Sequence, residues 1–126
     1  MDATRRAAQD YVDRLERRDW AGLSGLLAGD VVYEMPQTRE RIRGRESFLR
    51  FNAEYPGDWH LAVRRIVADG RSAALLLDVQ VDAPDQRQDA CVWLDVSDQG
   101  LITRIVDYWP DPYDPPPGRE HLVERY

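Results

Sequence analysis

The chain has 126 residues, of which 43% are hydrophobic, and carries a formal net charge of −6. That length fits one domain with a sizeable core, and the acidic balance argues against nucleic acid or an anionic membrane as the main partner. A lone cysteine, Cys91, excludes an internal disulfide framework and fits a reducing compartment, here taken to be the cytoplasm. The longest apolar run, Ala73 to Leu77, is far too short to span a bilayer, and the opening Met-Asp-Ala-Thr-Arg-Arg lacks the apolar stretch of a signal peptide. All 17 basic residues are arginine, a bias expected of a GC-rich bacterial genome.

Taken in chain order, Ala7, Ala8, Tyr11, Val12 and Leu15 follow helical spacing, with Thr4 or Asp2 as the cap of a first helix. Asp19 caps a shorter second helix carrying Trp20, Leu23, Leu26 and Leu27, stopped at Gly29. Val31 to Met35 reads as a strand ended by Pro36, and an extended piece at Arg41 to Arg43 leads into a third helix, Gly44 to Glu54, which buries Phe48 and Leu49, with Phe51 as a further candidate. After Pro56-Gly57-Asp58 the pattern changes to strands at Trp59–Ala68, Ser72–Asp82, Arg87–Val96 and Leu101–Trp109. The turns between them (Asp69-Gly70, Ala83 to Gln86, Ser97 to Gly100) are short enough to make antiparallel hairpins. The predicted class is α+β, a curved, cone-shaped antiparallel sheet with three helices packed on its concave face. One domain spans residues 1–126, and its tail from Pro110 holds five prolines before Gly118, so it cannot continue the sheet. A helical turn is expected within Arg119 to Tyr126.

The last strand carries the best chemical clue. Alternation puts Leu101, Thr103, Ile105, Asp107 and Trp109 on one face and Ile102, Arg104, Val106 and Tyr108 on the other. A carboxylate beside Ile105 and Trp109 either pairs with an arginine such as Arg104 or Arg43, or is desolvated into a proton-transfer group. Two histidines without ligand spacing predict no metal site, and no phosphate loop, dinucleotide fingerprint, serine elbow or Cys–His pair calls for a cofactor. Arg39, Arg41, Arg43 and Arg45 share one face if extended, which could recruit an anionic substrate, but Glu40 and Glu46 interleave with them and a solvated or interface patch is the plainer reading.

Three stretches carry a family resemblance. Gln9-Asp-Tyr11 through Arg18-Asp19-Trp20 and Leu27-Ala-Gly-Asp30 resembles the opening of ketosteroid isomerases. Glu34-Met35-Pro36 with Gly44-Arg45-Glu46 resembles the first strand and third helix of SnoaL-like proteins, and Gly100 to Trp109 is similar to the last strand of limonene-type epoxide hydrolases. The chain thus resembles the SnoaL-like, nuclear transport factor 2-like superfamily, which implies a cone whose mouth is lined by the first helix, the first strand and the inner sheet face. That resemblance implies Asp107 as proton shuttle, Asp78 or Glu34 as assistants, and Tyr11 as donor to a developing oxyanion; His60, beside Trp59 at the start of a long strand, is a further assistant because an imidazole titrates near neutrality. Trp109, Trp20, Tyr33, Met35 and Trp59 would form the walls around substrate. Neither relative's full set is present: the arginine of the epoxide hydrolases falls at Leu76, the isomerases' base aspartate at Met35, and their protonated aspartate near Cys91 or Val92.

The implied activity is cofactor-free acid–base catalysis on a small, mostly apolar molecule, as an isomerase, cyclase, dehydratase or hydrolase of secondary metabolism. A non-catalytic ligand-binding or assembly module is the alternative on the same fold. Large apolar residues on both faces of Ser72–Asp82 (Leu75, Leu77, Val79 and Val81 against Leu76) further predict a homodimer through the outer sheet face.

Overall fold

The computed structural model describes residues 2–83 and 87–126, so the expected turn at Ala83 to Gln86 lies largely outside the described residues. Helix α1 (Ala3–Glu16) buries Thr4, Ala7, Ala8, Tyr11, Val12 and Leu15 along one stripe, as its spacing requires. Asp2 is its cap, accepting from the Thr4 N–H. Thr4 instead turns inward, its hydroxyl donating to the Gly70 carbonyl at 2.8 Å. Asp19 caps α2 (Trp20–Leu26) by accepting from the Gly22 N–H.

The second helix ends at Leu26 rather than at Gly29, and strand β1 (Leu27–Met35) begins at once. Leu27 and Val31 are both fully buried. A shift in register between Leu27 and Val32 lets both reach the core, while Gly29 and Asp30 stay exposed. Strand β2 (Glu40–Arg43) folds back on β1, and Gly44 takes φ 94° to turn the chain into α3 (Arg45–Glu54). That left-handed backbone is cheap only for glycine. Strands β3 (Trp59–Asp69), β4 (Ser72–Val81), β5 (Arg87–Val96) and β6 (Ile102–Tyr108) form the antiparallel meander the turns predict. A single 3₁₀ turn, Glu120–Leu122, follows the proline-rich tail.

The six strands run in the order β2-β1-β6-β5-β4-β3. The class is α+β, with three helices on one side of a curved, open sheet. The sheet is mixed rather than wholly antiparallel, because β1 pairs in parallel with β6. Adjacent short turns cannot reveal such a pairing, since it joins strands from opposite ends of the chain. Among the described residues no helix is long and apolar enough to cross a membrane.

Two local patterns decide which side chains face the helices. On β6, Asp95 stands opposite Arg104 and Val96 opposite Ile102, so Thr103 is an extra residue in a bulge. Ile102 and Ile105 are therefore both fully buried, which corrects the expectation that Ile102 shares the outer face with Arg104. On β4, Ala73, Leu75 and Leu77 are buried inward, leaving Leu76 and Asp78 on the outer face. Leu76 consequently does not line the cavity.

Phe48 is the side chain that seats α3 on the sheet, 1% exposed, with its ring 4.9 Å from that of Tyr33 and 6.4 Å from that of Tyr11. Phe48→Ala should lower unfolding free energy by about 3–4 kcal/mol, read from urea denaturation, since the hole it leaves lies between two rigid rings.

Candidate active site

A cavity of about 200 Å³ opens between the C-terminal ends of α1 and α3 and the ends of β1, β3, β4, β5 and β6. Helix α1 contributes Tyr11 and Leu15, β1 contributes Tyr33 and Met35, and α3 contributes Phe51 and Asn52. Trp59, at the start of β3, walls the mouth. The Arg18 guanidinium lies 3.3 Å from the centre of its ring and donates to its carbonyl. Arg18 can do this because it adopts φ 57° at the end of α1, where it also donates to the carbonyls of Leu15 and Glu16. Across the mouth stands Trp109, whose backbone N–H donates to Gln37 Oε1 at 3.2 Å. The Asp111 carboxylate then accepts from both Gln37 and Gln88 at 3.1 Å, pinning the start of the tail to the rim.

Asp107 points into this space. The Tyr33 hydroxyl donates to its Oδ2 at 2.5 Å, and Oδ1 is buried with no hydrogen-bond partner among the described residues. Burial pushes the Asp107 pKa from 3.8 up to about 6, with the Tyr33 hydrogen bond pulling the other way. No arginine reaches it, because Arg104 is spent on Glu34 on the opposite face of the sheet. Burial, and then the charge of Asp107, raise both the Tyr11 and Tyr33 phenols well above their ordinary range. Both tyrosines thus stay protonated donors at neutral pH while Asp107 is poised to change charge.

The structure gathers Asp107, Tyr11, Tyr33, Met35, Trp59 and Trp109 around one cavity. It separates the other expected members from it. Glu34 lies on the outer face, where Arg104 and Arg41 hold its pKa below the usual range. Asp78 faces outward too, with Arg64 3.6 Å away. His60 is exposed at the edge, its Nδ1 3.0 Å from Glu16 and its Nε2 3.1 Å from Asp58, and the hydrogen bond and charge of Glu16 raise its pKa. Trp20 packs against the hydrophobic core instead of the cavity. In each case the cause is strand parity or position: Glu34 and Asp78 alternate with buried neighbours, so a strand that buries Tyr33, Met35 and Leu77 must turn them out.

Sequence reasoning missed Asn52 as a lining residue; it stands one turn after Phe48, and its Nδ2 donates to the Phe48 carbonyl at 2.9 Å. That i, i+4 spacing from a buried aromatic was the available signal. It also treated Tyr33 as a wall, whereas Tyr33 holds the carboxylate. Among the described residues, no cluster of three or more His, Cys, Asp or Glu could hold a metal ion.

The comparisons with known proteins bear on the fold and the family. The model of the SnoaL-like domain matches residues 8–105. A crystal structure from Kribbella flavida, solved as that of a candidate ketosteroid isomerase, is 53% identical over 98% of this chain and 90% of its own, with a TM-score of 0.92. A limonene-type epoxide hydrolase-like enzyme from Mycobacterium tuberculosis shares the fold at 24% identity, covering 86% of this chain and 83% of its own, with a TM-score of 0.73. A candidate polyketide cyclase from Sinorhizobium meliloti does so at 23% identity, covering 80% and 92%, with a TM-score of 0.69. No functionally curated protein matches the chain. With the domain match running from the buried stripe of α1 to Ile105 of β6, this chain belongs to the SnoaL-like family.

Proposed function

We propose that this protein is an acid–base enzyme of the isomerase or cyclase kind, moving a proton on carbon beside a carbonyl group of a small apolar molecule. One observation carries the reading: the Asp107 carboxylate, with Oδ2 held by Tyr33 and Oδ1 buried and without a hydrogen-bond partner among the described residues, in a mostly apolar cavity. On a β,γ-unsaturated ketone the ionised Asp107 removes the proton between the carbonyl and the double bond, and the C–H electron pair spreads over both to give a dienolate. Tyr11 donates a hydrogen bond to the dienolate oxygen, and Asp107 returns its proton to the γ-carbon, leaving the conjugated ketone; on a saturated ketone the proton returns to the same carbon, which is read as exchange. Nothing is consumed, and every step uses groups of this chain. The similarity to a candidate ketosteroid isomerase at 53% identity supports the choice of chemistry. Opening an epoxide calls for a second acid beside the base, and Asp78 stands on the wrong face to be that acid.

The reading includes a homodimer formed through the outer sheet face. Trp93 is 52% exposed there and Tyr108 43%, flanking the Glu34–Arg104 pair, and these are large apolar surfaces to leave in water. Light scattering at micromolar concentration should give the mass of two chains, and Trp93→Asp should give the mass of one with little change in secondary structure.

Two further outcomes follow from Asp107. Deuterium exchange next to the carbonyl of small cyclic ketones, followed by NMR in heavy water, should be catalysed by the wild type and slowed about a hundredfold or more in Asp107→Asn. Its rate should fall as pH drops through about 6, where the carboxylate takes up its proton, and be level above that because Tyr11 does not ionise there. Exchange indifferent to this substitution would end the proposal.

The second outcome concerns stability. The native pKa, about 6, lies above the unfolded value, so the folded state holds the extra proton between the two and loses stability as pH rises through that window. Asp107→Asn should therefore stabilise the protein by about 1–3 kcal/mol at neutral pH, and by nothing near pH 4, in paired thermal melts.

A further inference from the structure

We infer that the cavity selects uncharged molecules of one or two rings, and excludes both carboxylates of the same size and tetracyclic compounds. The inference rests on the acid–base reading only for where substrate sits; it deepens that reading by naming what enters.

Charge is the first argument. Among the described residues that line the cavity no arginine or histidine is found, and the ionisable groups are acids and phenols: Asp107 inside, Asp89 at the edge, and Tyr11, Tyr33 and Tyr55. Asp89 is already engaged outward, accepting from Arg64 at 2.9 Å. Two arginines that touch lining residues are committed as well, Arg18 to Trp59 and main-chain carbonyls and Arg64 to Asp89. An anion would meet no compensating cation there, and above about pH 6 it would meet the Asp107 carboxylate at short range in an apolar setting. A neutral carbonyl oxygen, by contrast, finds a donor in Tyr11.

Size is the second. An apolar protein cavity of about 150 Å³ takes up benzene, and drug-sized ligands occupy about 300–1,000 Å³. The space here is about 200 Å³, which by that scale encloses about eight non-hydrogen atoms, one ring and part of a second. The floor is fixed by Leu77, Val92 and the Phe48-backed ring of Tyr33, all buried, so depth cannot be gained cheaply. A tetracyclic molecule would have to leave much of its skeleton outside, against Trp109 and the pinned tail.

Isothermal calorimetry on the whole protein tests both arguments with three probes: 1-tetralone, the carboxylate of tetralin, and androst-4-ene-3,17-dione. At about pH 7.5 the tetralone should bind at least about tenfold more tightly than either of the others. The deficit of the carboxylate should shrink at about pH 5 and in Asp107→Asn, since both remove the opposing charge. Equal or tighter binding of the carboxylate or of the steroid ketone overturns the inference, as does a tetralone that fails to bind. Deuterium exchange on the same tetralone is read separately: binding without exchange sinks the catalytic reading and leaves the selection standing, whereas exchange with tighter steroid binding does the reverse.

Discussion

The hydrogen bond from Tyr33 to Asp107 is the constraint on which the site depends. It spans two strands that lie at opposite ends of the chain's order and run parallel. Tyr33 stands opposite Ile105, so Asp107 is two residues further along the same inward face, within reach of a tyrosine side chain. Removing the parallel pairing would leave each residue inward-facing but would part the hydroxyl from the carboxylate. Much of the fold serves that juxtaposition: β2 turns the chain back, Gly44 redirects it, and Phe48 on α3 presses against the Tyr33 ring from the helical side.

The same bond settles how basic the carboxylate is. Burial alone favours the neutral acid, and a donor on Oδ2 favours the anion. The balance leaves Asp107 near the middle of the physiological range, with the second oxygen free of partners. A salt bridge to arginine would have stabilised the protein more and held the carboxylate ionised far into acid, where its basicity is lost. The neighbouring strand positions show that alternative realised: Glu34, one residue from Tyr33, accepts from two arginines and is correspondingly acidic. One sheet thus carries a stabilising carboxylate on its outer face and a costly one on its inner face, a division common where activity trades against stability.

Much of the fold was legible because its signals are local. The apolar stripe of α1, the Asp19 cap, the third helix with Phe48 and the antiparallel hairpins rest on spacing within a dozen residues. What escaped was non-local or a change of phase. The parallel β1–β6 pair leaves no mark on either strand, and the Thr103 bulge shifts alternation so that Ile102 and Ile105 are buried together. Asp107 was found because it lies beyond that bulge, where Ile105 and Trp109 still share its parity. Asp78 and Glu34 were misplaced for a different reason. Spacing borrowed from relatives outweighed the plain alternation of Leu75, Leu77, Tyr33 and Met35, and that alternation turns both carboxylates outward.

The stacking of Arg18 on Trp59 has a practical side. The four tryptophans are dispersed: Trp93 stands on the outer face, Trp20 against the core, and Trp59 and Trp109 on the cavity. An indole pressed by a guanidinium and bordering an apolar hollow emits according to what fills that hollow. Were a small molecule to enter, the emission of Trp59 and Trp109 would report it, with no label to attach and no chromophore required of the guest.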